Sequence, residues 1–383
     1  MTNRATPSNS PDLLVVGAGP AGLAAAIAAA RKGLSVVVTE SRRPSIDKAC
    51  GEGLLPSAVV ALTNLGVDPT SVEHAPFWGI RFLDATGPQA SAQGLFRSAS
   101  GIGIRRTRLH QLLLDRALNL GVRVHWHTNV QTIDSAGTNR PLEVQTSAGV
   151  FRPLYLVGAD GLHSSVRRLA GLNRSSTSQT RIGIRQHFAA TPHTDLVEVY
   201  WSPLGQAYVT PISSSELCVA FVYRSRPATR DHLASFPTLR DRLRSAIPIG
   251  TALGALTLTR SLRRVHRGNI ALVGDASGSV DAITGDGLAL CFQQALALAD
   301  ALSSHDLMSY QLAHARCSRL PHFMSHLLLL LDRHPALFSK ALEAFSRRPS
   351  LFPDLLNLHV GDEPLRLLGS GGLLASLLCL LSN

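Results

Sequence analysis

"DLLVVGAGPAGLAAAIAAARKGLSVVVTE", residues 12–40, decides the fold. Four apolar residues, Leu13 to Val16, run into a glycine turn. An alanine-rich stretch follows to about Lys32, and a second apolar run ends at Glu40. Strand, helix and strand within about 30 residues is the length a parallel crossover needs. Gly17, Gly19 and Gly22 have the GxGxxG spacing directly after the strand and at the helix start, with Pro20 and Ala21 completing the loop. Gly17 permits the tight turn, Gly19 lets the backbone approach a pyrophosphate, and Gly22 lets the helix close on the strand. The helix N-terminus adds unpaired N–H groups and a partial positive charge for the phosphates. Glu40 can accept hydrogen bonds from a ribose diol and would repel a further phosphate there. The unit is a dinucleotide site.

Working outward, "YLVGAD" (155–160) and "NIALVGDA" (269–276) read as two more buried parallel strands, each ending in glycine and aspartate. They lie more than a hundred residues apart, so the nucleotide domain is discontinuous. Between them, "RIGIRQHFAA", "LVEVYWS", "GQAYVTPIS", "ELCVAFVY" and "TALGALTLTR" alternate partially between Pro, Gly and Ser breaks, which predicts an antiparallel sheet with one covered face. After Gly287 the pattern turns helical, and no repeat at solenoid spacing occurs. The expected fold is α/β. A Rossmann-like domain made of 1–70, 100–178 and 262–335 carries an inserted antiparallel substrate domain, 71–99 and 179–261, and a helical C-terminal segment, 336–383.

The chain of 383 residues is 45% hydrophobic and 16% charged, enough to bury a large core. Its five cysteines, Cys50, Cys218, Cys291, Cys317 and Cys379, are scattered with no CxxC, which argues against a disulfide framework or a metal site and for a reducing, cytoplasmic setting. "MTNRATPSNSP" reads as a polar tail without a signal peptide. A net charge of +11, its basic residues scattered and including five arginine pairs, attracts anionic partners. With 5% aromatics and no nucleic-acid module, an anionic cofactor or an acidic membrane surface is expected, and no nucleic acid. The last 17 residues, "LLGSGGLLASLLCLLSN", are uncharged. As a helix they would reach about 25 Å, short of the roughly 30 Å of a bilayer core. Packing onto the protein or contact with the inner face of a membrane are the alternatives left open. Oligomeric state is not legible.

NAD and FAD share the glycine fingerprint, so other motifs must choose. "GADGLHSSVRRLAGL" has the DGxxSxVR pattern in Asp160, Gly161, Ser164, Val166 and Arg167. "IALVGDASGSVDAITGDGLAL" carries a GD pair, Gly274 and Asp275, and "IRRTRLHQLLLDRA" an R-x-x-L helix start. Together they resemble flavoprotein monooxygenases of the aromatic-hydroxylase fold. The resemblance implies FAD, with Asp275 on its ribityl chain and Arg106 as a contact, Arg105 being the runner-up. Arg167 is the expected phosphate contact for NADH or NADPH, the transient electron donor, since no second GxGxxG follows a strand.

Within that superfamily, "KACGEGLLP" (48–56) is similar to the K-x-C-G segment of geranylgeranyl-reductase-like flavoproteins, which places Cys50 and Gly51 against the isoalloxazine ring. "TGDGLALCFQQAL" also resembles that branch, with Ala289 where the hydroxylases carry asparagine. Gly285, Asp286, Gly287 and Leu288 would present backbone N–H groups to the flavin N1/O2 edge. Cys50 either borders and shapes the active site or is a small residue chosen for packing. Glu52 is a candidate general acid or base, or a loop glutamate that is solvated or paired with an arginine. Tyr208, with Thr210 and Pro211, falls where related enzymes line the substrate, although the tryptophan-rich halogenase strand is absent.

The expected activity is an NAD(P)H-reduced, FAD-dependent monooxygenase using molecular oxygen on a hydrophobic phenolic, polyketide-like or lipid substrate. The alternatives are reduction of isoprenoid double bonds or, from another class, a non-catalytic flavin-binding or membrane-docking protein.

Overall fold

Leu13–Val16 is buried at every position because it lies between two parallel neighbours, Val36–Thr39 and Tyr155–Gly158. A strand covered on both faces tolerates an unbroken apolar run. Arg123–His125 extends the sheet beyond Val36–Thr39, Ile270–Leu272 extends it beyond Tyr155–Gly158, and His266–Arg267 closes that edge antiparallel, giving six strands. The computed structural model describes residues 10–44, 46–85, 91–134, 141–177, 179–227 and 229–361. The polar N-terminal tail up to residue 9 and the uncharged C-terminal stretch therefore lie outside the described residues.

One face of this sheet is covered by the helix Pro20–Arg31 and by Gly287–Ser303, which pack together through Leu23, Ile27, Phe292 and Leu298. Ala24, Ala25, Ala26, Ala28 and Ala29 of the first helix are buried and let the second approach closely. The other face packs Leu14, Val37 and Leu156 against a small antiparallel sheet, Val130–Asp134, Glu143–Thr146 and Gly149–Phe151.

A second sheet has seven strands, in the order Ile247–Thr257, Arg181–Ala189, Glu216–Tyr223, Gly205–Pro211, Val197–Ser202, Gly79–Asp84 and Ser91–Leu95. All neighbours are antiparallel except Val197–Ser202 with Gly79–Asp84. After Gly287–Ser303 the long helix Leu307–Arg333 leads to two shorter ones, Pro335–Arg347 and Leu351–Val360. Phe338, Ala341, Leu342 and Phe345 recur at helical spacing and are buried, so Pro335–Arg347 lays one apolar stripe over the second sheet. Gly361, in the left-handed region at φ 87°, ends the last helix. No helix among the described residues is long and apolar enough to cross a membrane.

Candidate active site

The three fingerprint glycines serve different purposes. A Cβ on Gly17 would sit 2.5 Å from the Ala159 carbonyl oxygen, and one on Gly22 only 1.8 Å from the oxygen of Gly17. Both are glycines because the turn is tight. A Cβ on Gly19 would meet nothing within 4 Å, so that flank is open. Gly17, Gly19, Pro20 and Ala21 line a cavity of about 700 Å³, together with Glu40, Arg106, Asp160, Gly161, Gly274 and Asp275. Glu40 is held at its strand end by the N–H groups of Ala18, at 2.8 Å, and Arg42, at 3.0 Å. Gly274, at φ 62°, touches the fingerprint helix, since a Cβ there would lie 2.6 Å from that of Ala21. The Asp275 side chain is 46% exposed, with Lys48 Nζ 3.9 Å away.

Asp160 accepts from the backbone N–H groups of Ser165, at 2.7 Å, and Val166, at 3.2 Å, and so caps the short helix Ser165–Leu169. Arg167 departs from its expected role. It is buried and donates to Asn173 Oδ1, Ala276 O and Leu162 O at 3.1, 3.0 and 2.8 Å. Its guanidinium straps the DG loop to the GD loop and is absent from the cavity wall, so a phosphate of NAD(P)H finds no free donor there. Gly22 also stays behind the wall. Arg105 points away, engaged by Glu216 and His187, whereas Arg106 lines the cavity with its buried Nε unpartnered.

Further along, Cys50, Gly51, Glu52 and Gly53 form one side, and Gly285, Gly287 and Leu288 belong to the turn and first residues of the helix Gly287–Ser303. The first N–H groups of that helix lack intrahelical partners and carry its partial positive charge. Gly285, at φ 73°, makes the turn. Cys50 is half-buried and is a free thiol; its Sγ accepts from the Glu52 N–H at 3.4 Å, and the Cys218 thiol, also free, lies 3.5 Å from the Cys50 carbonyl oxygen.

Glu52 is not solvated. It is buried at φ 57°, accepts from the Arg106 N–H at 2.9 Å, and its other oxygen lies 2.7 Å from His187 Nε2. Arg105 and Arg185 both approach His187 Nδ1, at 2.6 and 2.7 Å. Guanidinium groups only donate, so Nδ1 is the acceptor and Nε2–H donates to Glu52. The expected arginine partner is thus reached through a histidine. Glu52, His187 and Cys218 come within 4.8 Å of one another, the spacing of a metal trio. The donor set does not suit a cation: two guanidinium groups face the ring, and burial pushes the Cys218 thiol well up, away from the thiolate a metal needs.

Tyr208 lines the cavity and donates to the Ile283 carbonyl at 3.0 Å. Burial drives its pKa far up, so it is a neutral phenol that props the loop before Gly285.

Beyond Tyr208 the cavity opens into an apolar chamber whose roof comes from the last two helices, through Phe338, Phe345, Phe352, Leu355 and Leu356. No sequence motif marks these residues; the amphipathic spacing of Pro335–Arg347 was the available signal. The chamber also includes His359, whose Nε2 lies 3.0 Å from Thr284 O and 3.6 Å from Asp286 Oδ1. Asp286 does not reach the cavity. It is buried behind Gly285 and Gly287, and burial raises its pKa against the opposing effect of His359.

These residues fit FAD. The open flank at Gly19, the unpartnered Arg106 Nε and the half-exposed Asp275 offer, respectively, an approach for phosphates, a cationic donor and an acceptor for ribityl hydroxyls in the wall of one cavity. The comparisons agree. Menaquinone reductase of Mycobacterium tuberculosis (strain ATCC 25618 / H37Rv) is 26% identical over 318 residues, 78% of either chain. Digeranylgeranylglycerophospholipid reductase of Methanococcus vannielii is 22% identical over 293 residues, 73% of either chain. The crystal structure of p-nitrophenol 4-monooxygenase PnpA from Pseudomonas putida DLL-E4 superimposes with a TM-score of 0.75 at 16% identity, covering 92% of this chain and 99% of that one, a likeness of fold. The family described as "FAD binding domain" matches residues 11–306, and the chain belongs to that family of FAD-dependent oxidoreductases and monooxygenases.

Proposed function

We propose that the chain is a monooxygenase that takes electrons from NADH or NADPH and inserts one oxygen atom into a hydrophobic aromatic or lipid substrate. The observation that carries this reading is the continuity of the cavity from the dinucleotide cradle, past Cys50 and Gly285, into an apolar chamber lined by helices. When bound, FAD supplies hydride acceptance from the nicotinamide and, once reduced, reaction with dioxygen. The balance is NAD(P)H, a proton, dioxygen and a substrate C–H giving NAD(P)+, water and a substrate C–OH.

Gly19, Glu40, Arg106 and Asp275 would hold the cofactor, and Gly51 would let its ring lie close to the backbone. The helix N-terminus at Gly287 would favour negative charge on a flavin edge bound against it. The roof of Phe338, Phe345 and Phe352 excludes water, which in such sites diverts reactive oxygen species to side reactions. Tyr208 keeps the Ile283–Gly285 loop in place.

The test is incubation of FAD-loaded protein with NADH or NADPH, isotopically heavy dioxygen and a series of alkyl-substituted phenols. One heavy oxygen atom in a product supports the reading; consumption of reductant with no labelled product from any of them sinks it. A second reading, reduction of a carbon–carbon double bond, is favoured by the two relatives named as reductases. It needs no dioxygen, so anaerobic reoxidation of the reduced flavin by an isoprenoid quinone, with two hydrogens gained by the quinone side chain, would select it.

A further inference from the structure

Ile247–Thr257 is the outermost strand of the seven-stranded sheet, and among the described residues no strand pairs with its outer side. An open sheet edge is a template for another strand, and this one is shaped against that use. Pro248 has no N–H to donate. Pairing with the neighbouring Arg181–Ala189 slips between Ile249 and Leu253, where Gly250 stands at φ 66°. The strand is nevertheless apolar and open. Ile247 is 68% exposed, Leu256 50% and Ile249 36%, and no charged residue stands between Arg244 and Arg260. Ala255, Leu256 and Thr257 also line the cavity, so the exposed edge runs to the cavity wall.

Arginines frame this strand. Residues 224–268 hold ten arginines and two aspartates, most of the chain's net charge of +11. Arg224, Arg242 and Arg260 are drawn inward by Asp332 O, Glu198 and Leu162 O, whereas Arg226, Arg230, Arg244, Arg263 and Arg264 are exposed. Tyr223 pairs with Ile182, which pairs with Leu256, so the chain carrying Arg226 and Arg230 leaves the sheet at the Leu256 end of the edge. Arg244 precedes the other end. A second copy laid against this edge would bring like charges together, so charge and edge chemistry both oppose it.

We propose that Ile247–Thr257 and its flanking arginines form the face by which the protein docks on a bilayer surface containing anionic lipid. The exposed arginines meet lipid phosphates, and Ile247 and Ile249 enter the boundary between head groups and acyl chains. Leu256 then sets the cavity wall beside the bilayer, the reservoir of a hydrophobic substrate. Both readings of the reaction take such a substrate, so docking stands whichever of them holds. The arginines alone would attract any polyanion; the uncharged apolar strand between them is what a lipid surface uses and a nucleic acid does not.

The experiment is co-sedimentation of the FAD-loaded full chain with vesicles of phosphatidylcholine alone or mixed equally with phosphatidylglycerol, at low and high salt. Wild type is expected to bind the anionic vesicles at least about tenfold more tightly than the neutral ones, with the advantage shrinking in salt. Replacing three arginines together, Arg244→Gln, Arg263→Gln and Arg264→Gln, should weaken binding to the anionic vesicles at least about tenfold and leave the neutral ones unchanged. Ile247→Ser with Ile249→Ser should weaken binding to both kinds about tenfold. All five positions are exposed, so melting temperature and FAD content should stay at wild-type values in both variants.

Wild type left in the supernatant by the anionic vesicles would overturn the proposal. So would vesicle binding that neither variant changes, which would move the contact to another part of the chain. A DNA duplex bound at least as tightly as the anionic vesicles, through the same arginines and indifferent to the serines, would make the face a polyanion site and overturn it too. A dimer in sedimentation that the serine pair takes apart would do the same by making a second copy the occupant. If the serine pair fails to hold FAD, the arginine triple decides by the ratio of anionic to neutral binding.

Discussion

Around Gly19 the cavity wall is backbone, and its chemistry lies in N–H groups and in the absence of side chains. Around Phe352 the wall is side chain, with the Phe352 ring 4.9 Å from that of Phe82 and 5.2 Å from that of Phe345. The first kind of wall demands particular residues at particular positions, because a misplaced Cβ collides or blocks. The second demands only that apolar volume be filled, and many sequences fill it equally well. One cavity thus joins a part that recognises a common cofactor to a part free to change its substrate.

The comparison breaks most readily at Gly19. Gly19→Val should leave folding intact, since the position has ordinary backbone angles and open space, yet lower FAD affinity by at least about 1000-fold, or about 4 kcal/mol. Gly22→Ala should do the opposite, costing folding stability at the upper end of the roughly 1–3 kcal/mol of an overpacked core, because its Cβ meets the Gly17 oxygen. Flavin titration and urea unfolding of both variants check this, and equal effects on the two measurements would erase the distinction between cradle glycines.

On the roof, Phe352→Ala should cost about 3 kcal/mol of stability in urea unfolding while FAD affinity stays within about twofold. A matching loss of FAD would mean that the roof supports the cradle.

Acid should attack the cradle before the roof. Burial, with a smaller contribution from His322, holds His314 down at about 4, and its Nε2 lies 2.9 Å from Ser277 Oγ in the GD loop. Between the unfolded value of 6.5 and the folded value of about 4, the unfolded chain binds a proton that the folded chain does not. Its contribution is present in full above pH 6.5 and is lost as pH falls through the folded value, on the order of 3 kcal/mol in all. Burial depresses His110 in the same direction. Melting temperature and FAD retention should therefore fall together over this window, and His314→Gln should flatten the dependence of both.

The smallest effect is expected at Cys50. Cys50→Ser keeps its volume, and neither Cys50 nor Cys218 is in a disulfide. Flavin reduction by NADPH should stay within about tenfold of wild type, with product pattern or substrate KM changing instead. A drop beyond about 100-fold, about 2.7 kcal/mol of barrier, would put the thiol on the electron path.

The contrast between the two walls also explains what could be read beforehand. Gly17, Gly19, Glu40, Asp275 and Gly285 were legible because turns and helix starts restrict residue type locally, and all of them line the cavity. Arg167 was misread because an arginine just after a glycine- and serine-containing loop looks like a phosphate ligand. Only the fold reveals that Leu162 O, Asn173 and Ala276 O surround it. Glu52 could not be paired with His187 from sequence, as the partner lies 135 residues away on an antiparallel strand. The roof was invisible for the reason already given: Phe338 to Leu356 obey a helical period and nothing more specific.

The discontinuous sheet has a consequence for biosynthesis. Leu13–Val16 and Val36–Thr39 leave the ribosome early, but Tyr155–Gly158 follows more than a hundred residues later, and Ile270–Leu272 more than a hundred after that. At roughly 5–20 residues per second each gap lasts roughly 5–20 s, with apolar strand edges unpaired meanwhile. With Asp275 holding FAD as proposed, the cofactor cannot rescue the nascent chain in that interval, since Asp275 is translated after the last of these strands. A chain stopped short of the GD loop would have an exposed half-sheet, which makes late translation the step most open to aggregation and to chaperone capture.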